Sequence, residues 1–194
     1  IRGSADAAGV VERMPTDLVV VLVQSGSMAG EKIEHARAAI RQLIATLDAE
    51  DRFALVSYSV RAQRTIRLSQ VTDSERDSWR SVVDGISTGG GTNLSSGLEL
   101  GLGIVDGSRL GGRIPRLILI SDGLANQGDV SLSGLRTRAR RAAMGEYTLT
   151  TIGVGSDFDE QLLATLADAG TGNYYYIQRA SDLAKIFSDE FETA

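Results

Sequence analysis

After Asp17, every residue through Val23 is Val or Leu. An unbroken apolar run of this kind predicts a strand covered on both faces, because a half-exposed strand would alternate. From Glu31 to Leu47 the residues Ile33, Ala36, Ile40, Leu43, Ile44 and Leu47 recur at helical spacing, so the first strand feeds a helix. Arg52 to Ser59 predicts a second strand, and Ala62 to Leu68 alternates polar with apolar after a two-residue turn, as a hairpin partner at a sheet edge would. Asp73 to Ile86 reads as a helix with the only tryptophan, Trp79, on its inner face; the glycine-rich break STGGGTN then leads into a helix over Leu94 to Val105. Arg116 to Ile120 predicts a strand ended by Ser121-Asp122-Gly123. Beyond it follow a helix over Leu132 to Met144, a strand over Tyr147 to Val154, a helix over Phe158 to Ala167, a strand over Asn173 to Ile177 and a closing helix over Ser181 to Phe191.

Strands alternating with helices predict an α/β fold: a doubly wound, mostly parallel six-stranded sheet with one antiparallel edge strand and helices on both faces. The 194 residues suit a single domain, expected over 16–192, with 1–15 as an N-terminal extension or linker. Since the chain opens at Ile1 without a methionine, it reads as a piece cut from a longer protein.

Composition narrows the chemistry. A net charge of −5 argues against nonspecific nucleic-acid binding, and the lack of cysteine excludes disulfides, thiolate metal sites and a thiol nucleophile. No apolar run approaches the ~18 residues of a membrane span, so no direct membrane insertion is expected within this segment.

In an open α/β sheet, ligands sit outside the C-terminal ends of the strands, where the strand order reverses. Three loops qualify: Ser25-Gly26-Ser27, Gly89 to Asn93, and Ser121-Asp122-Gly123. They offer the hydroxyls of Ser25, Ser27 and Thr92 and the carboxylate of Asp122, hard oxygen donors that suit Mg²⁺ or a similar cation better than zinc or copper. Taken singly, each loop reads as a turn or a helix cap; their joint occurrence at strand ends favours a site.

Catalysis finds little support. Gly85-Ile86-Ser87-Thr88-Gly89 fits the G-x-S-x-G string but follows a helix instead of joining a strand to one, and the only histidine, His35, falls on a helix beside Glu34 and Arg37. Neither dinucleotide-binding nor P-loop glycine patterns occur. Asp157 to Glu160 reads as a helix start where carboxylates meet the dipole, and Arg136, Arg138, Arg140 and Arg141 as a solvated basic face. Asn93-Leu94-Ser95 is a chance sequon, and Tyr174, Tyr175 and Tyr176 are packing residues.

The set Ser25, Ser27, Thr92 and Asp122 resembles the metal-ion-dependent adhesion site of von Willebrand factor A domains, written Asp-x-Ser-x-Ser, then a Thr, then an Asp. Supporting phrases such as AEDRFALVSYS, LILISDGLANQG and LADAGTGNYYYI are similar to bacterial members of that family. The resemblance implies a Rossmann-like fold and a noncatalytic domain for protein–protein interaction or adhesion, whose partner supplies an Asp or Glu to the metal. It also implies that the last helix moves with the site, and a location at the bacterial cell envelope or outside the cell. One position departs from the pattern: Val23 stands where the family has its first aspartate, and alternation along the strand turns Gln24 away from that side. One carboxylate then faces a dication, and loss of an outer-sphere ligand costs roughly 10 to 100-fold in metal affinity. The expectation is a degenerate site with Mg²⁺, or Mn²⁺ or Ca²⁺ in its place, at low occupancy. The alternative is a metal-independent scaffold or regulatory domain of a larger envelope, transport or chelatase-like assembly.

Overall fold

The computed structural model describes residues 13–192, so residues 1–12 of the expected N-terminal extension lie outside it. Six strands form one sheet: β1 (Thr16–Val23), β2 (Arg52–Tyr58), β3 (Ala62–Gln70), β4 (Ile114–Ser121), β5 (Thr148–Val154) and β6 (Thr171–Ile177). Their order is β3-β2-β1-β4-β5-β6, with every pairing parallel except the β2–β3 hairpin. Six helices cover it: α1 (Glu31–Thr46), α2 (Asp73–Asp84), α3 (Leu94–Gly107), α4 (Leu132–Met144), α5 (Glu160–Ala169) and α6 (Leu183–Glu192). Helix α1 packs against α2 and α6 on one face, while α4 packs against α3 and α5 on the other. This is the α/β architecture that the alternating pattern predicts.

All eight residues of β1 are buried, as its unbroken apolar run requires of a central strand. The chain leaves β1 towards β2 on one side and returns to β4 on the other, so the strand order reverses at β1 and β4. The loops after these two strands therefore diverge and leave a crevice between them. Close approach of α3 depends on small residues: a Cβ at Gly97 would lie 2.7 Å from the Tyr58 ring, and one at Gly101 would lie 2.6 Å from Val21. Trp79 is buried against Phe53, with ring centroids 5.4 Å apart.

Several boundaries move relative to the pattern, each for a local reason. Gly85 caps α2 through its backbone N–H, and Ile86 leaves the helix to bury its side chain. Helix α5 starts at Glu160 and not at Phe158, because the Asp159 side chain accepts from the Leu162 N–H as its cap while the Phe158 ring packs on Tyr176. A short 3₁₀ turn, Ala180–Asp182, precedes α6 and delays its start to Leu183. Smaller shifts carry β3 on to Gln70, α3 on to Gly107, and the starts of β4 and β6 back to Ile114 and Thr171.

At the N-terminal ends of the strands, Asp17 is buried and gripped by the guanidinium groups of Arg52 and Arg113, whose Nε atoms lie 2.7 and 2.6 Å from Oδ1. Burial alone would raise its pKa, but these two hydrogen-bonded cations hold the carboxyl below the usual range. This end of the sheet is a structural clasp, remote from the crevice.

Candidate functional site

Asp122 begins the β4–α4 loop and is completely buried at the C-terminal end of the sheet. Ser25 and Ser27 lie on and beside the 3₁₀ turn Gly26–Met28 that follows β1. Ser25 precedes that turn as its cap through its carbonyl, which accepts from the Met28 N–H, and not through its side chain; the residue ahead of α1 is Gly30, whose φ of 81° a glycine adopts without strain. Ser27 Oγ donates to Asp122 Oδ1 at 2.9 Å, Ser25 Oγ lies 2.8 Å from Ser27 Oγ, and Ser25 stands 3.3 Å from the same carboxylate oxygen. Each hydroxyl has one hydrogen, so the short contacts form a relay from Ser25 to Ser27 to Asp122. The turn and cap readings of Ser-Gly-Ser and Asp-Gly therefore leave out the side chains' main role.

Thr92 enters the site differently. It is buried, and its backbone N–H donates to Asn126 Oδ1 at 2.9 Å while its carbonyl accepts from the Asn126 and Gln127 N–H groups. Among the described residues its hydroxyl bonds to neither serine nor Asp122. Backbone bonds tie the three loops together: Gly26 N–H donates to Gly90 O at 3.1 Å, and Gly89 N–H to Gln24 O at 2.9 Å. The next residue, Asn93, caps α3 by accepting from the Ser96 N–H, and its side-chain amide donates to Val60 O.

Two participants escape the sequence pattern. Lys32, in the first turn of α1, places Nζ 3.3 Å from Asp122 Oδ2. Asn126 anchors Thr92. A signal for Lys32 exists but is slight: a cation in the first turn of a helix opposes the macrodipole, although Glu31 and Glu34 in the same turn offset it. Asn126 sits in an unremarkable polar loop and sends no such signal.

Val23, standing where the resemblance expects a first aspartate, is fully buried and paired in register with Tyr58. Tyr58 is also fully buried and donates to Ile120 O at 3.0 Å; burial first, and the nearby Asp122 charge second, push its phenol well above the ordinary range. The environment of Val23 is thus apolar on its β2 side. Set against the needs of a divalent cation, the cluster fits in donor chemistry, hard oxygen throughout, and falls short in charge. Its single carboxylate already faces an ammonium group. Among the described residues, no three of His, Cys, Asp and Glu gather to hold a metal ion.

The other candidate residues lie apart. His35 is exposed on α1, and Ser87 is exposed in the stretch after α2, with no strand-to-helix elbow around it. On α4, Arg138 pairs with Asp129 and Glu99, and Arg141 with Glu99 and Asp106, so half of the basic face is neutralised, while Arg136 and Arg140 remain exposed. Exposed apolar side chains are found at both ends of the sheet: Val60 after β2 and Leu124 and Val130 after β4 at the crevice end, and Met14, Leu110 and Met144 at the other. Among the described residues, no helix is long and apolar enough to cross a membrane.

Comparison with known proteins agrees with the fold. The sequence profile of the von Willebrand factor type A domain matches residues 17–189. Curated relatives include the uncharacterised protein YfbK of Escherichia coli K12, 29% identical over 92% of this chain and 31% of its own length. Another is human inter-alpha-trypsin inhibitor heavy chain H4, 30% identical over 92% of this chain and 20% of its own length. The chain therefore spans a third or less of these relatives. Among solved structures, a von Willebrand factor type A protein from Catenulispora acidiphila superposes with a TM-score of 0.82 at 24% identity, over 91% of this chain and 42% of its own.

Proposed function

This chain belongs to the von Willebrand factor type A domain family, and on that premise we propose that it is a noncatalytic protein-interaction domain whose partner docks at the C-terminal end of the sheet. The metal site beneath that surface, formed by Ser25, Ser27, Thr92 and Asp122, is weak or vestigial because Val23 replaces the first aspartate. The observation that carries the reading is the combination at one end of the molecule of a buried carboxylate–hydroxyl cluster and the exposed Val60, Leu124 and Val130. A polar centre that fixes orientation inside an apolar rim suits protein recognition. The cluster holds no imidazole base for its serines, which suits binding and not acyl transfer.

Photo-crosslinking tests the reading in cells that make the full protein. A crosslinker at Leu124, beside the crevice, should yield a discrete protein adduct, while one at Met144, exposed at the far end of α4, should not. Adducts from Met144 and none from Leu124 would move the interface to another surface.

A second reading has its own support: the Lys32–Asp122 pair leaves the cluster charge-balanced without metal, as suits a metal-independent scaffold or regulatory module of a larger assembly. Partner binding that survives a chelator favours this second form. A place at the bacterial cell envelope or outside the cell belongs to the same proposal and rests on the family resemblance.

A further inference from the structure

We propose that Lys32 is the resident cation of this site: its ammonium group takes over the charge role of a divalent ion on Asp122, and a metal binds only by displacing it. The inference concerns the site named above but depends on metal uptake alone, not on where a partner docks.

Three observations carry it. The first is electrostatic. Asp122 is completely buried, and a buried carboxylate needs a counter-charge and hydrogen bonds. Here Oδ1 accepts from Ser27, with Ser25 behind it, and Oδ2 faces Lys32 Nζ at 3.3 Å. Both oxygens are satisfied from within the chain.

The second is the loss of a competing requirement. With aspartate at position 23, two carboxylates would face one ammonium and leave a net negative site for a dication. With Val23 the count is one against one. Adding a dication to that neutral pair brings two uncompensated positive charges, whereas expelling Lys32 first leaves one.

The third is the way the lysine is seated. Lys32 sits in the first turn of α1, where the helix dipole favours the neighbouring Glu31 and Glu34 over a cation, and its ammonium reaches away from that turn to the carboxylate of Asp122. The end of its side chain lies alongside Gly155 in the loop after β5, within ordinary contact distance of where a Cβ there would stand, 3.5 Å from Nζ and 3.8 Å from Cε. The Lys32 side chain is 34% exposed while that of Asp122 is wholly buried, so the ammonium can swing out to solvent when an ion takes its place on the carboxylate. The serine relay strengthens the same arrangement, because the Ser27 hydroxyl hydrogen points at Asp122 and would have to turn away before that oxygen could meet a metal.

The test uses Mn²⁺ as the probe, added to chelator-treated protein and followed by titration calorimetry and by thermal melting. Wild type should melt at the same temperature with Mn²⁺ or with EDTA. Lys32→Met should melt lower in EDTA, recover in Mn²⁺, and bind Mn²⁺ at least about ten-fold more tightly than wild type. Lys32→Arg, which keeps the charge, should stay as refractory as wild type, and adding Asp122→Ala to Lys32→Met should abolish uptake. Should Lys32→Met fold poorly, Lys32→Gln removes the charge while retaining a polar tip and should show the same gain. Equal or weaker Mn²⁺ binding by both neutral variants would overturn the proposal and leave Val23 alone responsible for any loss of metal. Neither outcome bears on the Leu124 crosslink, so the two readings fail separately.

Discussion

Val23 is the residue on which the character of the site turns. It is fully buried, and its neighbour in register is the equally buried Tyr58, whose hydroxyl is already spent on Ile120 O, so a carboxylate introduced there must share Lys32 with Asp122. Val23→Asp should lose about 2–4 kcal/mol of unfolding free energy in EDTA, the cost of a buried charge without a cation of its own, and regain part of it in Mn²⁺; denaturant titration with and without the ion reads both. No change in EDTA would mean that the position is wetter than its burial implies. Gly97 makes a second case at this scale. A Cβ there falls 2.7 Å from the Tyr58 ring and 3.2 Å from Val21, both rigidly packed. Gly97→Ala should therefore destabilise by roughly 1–3 kcal/mol despite the higher helix propensity of alanine, which is worth at most about 1 kcal/mol.

Helix α6 is the element whose attachment the hydrophobic pattern does not explain. Leu183 and Phe187 bury an apolar face, yet Glu190 is 4% exposed. Its carboxylate accepts from Tyr175 Oη at 2.7 Å, Asn173 Nδ2 at 2.9 Å and Thr150 Oγ1 at 3.0 Å, while its carbonyl accepts from Arg116 at 2.7 Å. A single glutamate thus latches the last helix to β4, β5 and β6. Glu190→Ala should cost about 3 kcal/mol and speed hydrogen exchange across α6 while β1 stays protected; uniform acceleration through the sheet would show that α6 is not a separable unit. Burial, and then the bond to Glu190, push the Tyr175 phenol up to about 12. A raised folded-state value means that its contribution is complete below the ordinary phenol value of about 10 and is lost as pH climbs from there to about 12. Tyr175→Phe should flatten that part of the alkaline stability curve.

At the scale of the whole molecule, carboxylates held below their ordinary values shape the response to acid, Asp17 across the sheet and Asp129 within its own loop and helix. Asp17 clasps β1 to Arg52 at the start of β2 and to Arg113 just ahead of β4, and is held below the ordinary value of 3.8. Asp129 is held at about 2, first by the Ser131 hydroxyl and then by Arg138, whose Nη1 lies 2.5 Å away. Depressed carboxyl values contribute stability that is present above the unfolded value and drains away as pH falls through the folded one. Denaturant midpoints should therefore hold steady down to about pH 4 and decline from there towards pH 2. Asp17→Asn should lower the neutral-pH midpoint and make the remaining decline shallower. A midpoint indifferent to pH over that window would mean that neither clasp is coupled to global unfolding.

The order and kind of the elements were legible because periodicity is local: an unbroken run marks a central strand, alternation marks the β3 edge, and helical spacing marks the faces of α1 and α4. That the loops carrying Ser25, Ser27, Thr92 and Asp122 meet was legible for a related reason, since a doubly wound sheet sends the loops after its strands to one end. Helix starts and stops were less so, because caps such as Asp159 compete with neighbouring residues over one or two positions. Only the tertiary structure decided what each site residue touches. It turned Thr92 into a backbone anchor held by Asn126, hung α6 on Glu190, and set Lys32 against Asp122 across 90 residues of chain. Contacts of that range leave no period in a sequence, because they depend on where two packed elements end and not on how either one is patterned.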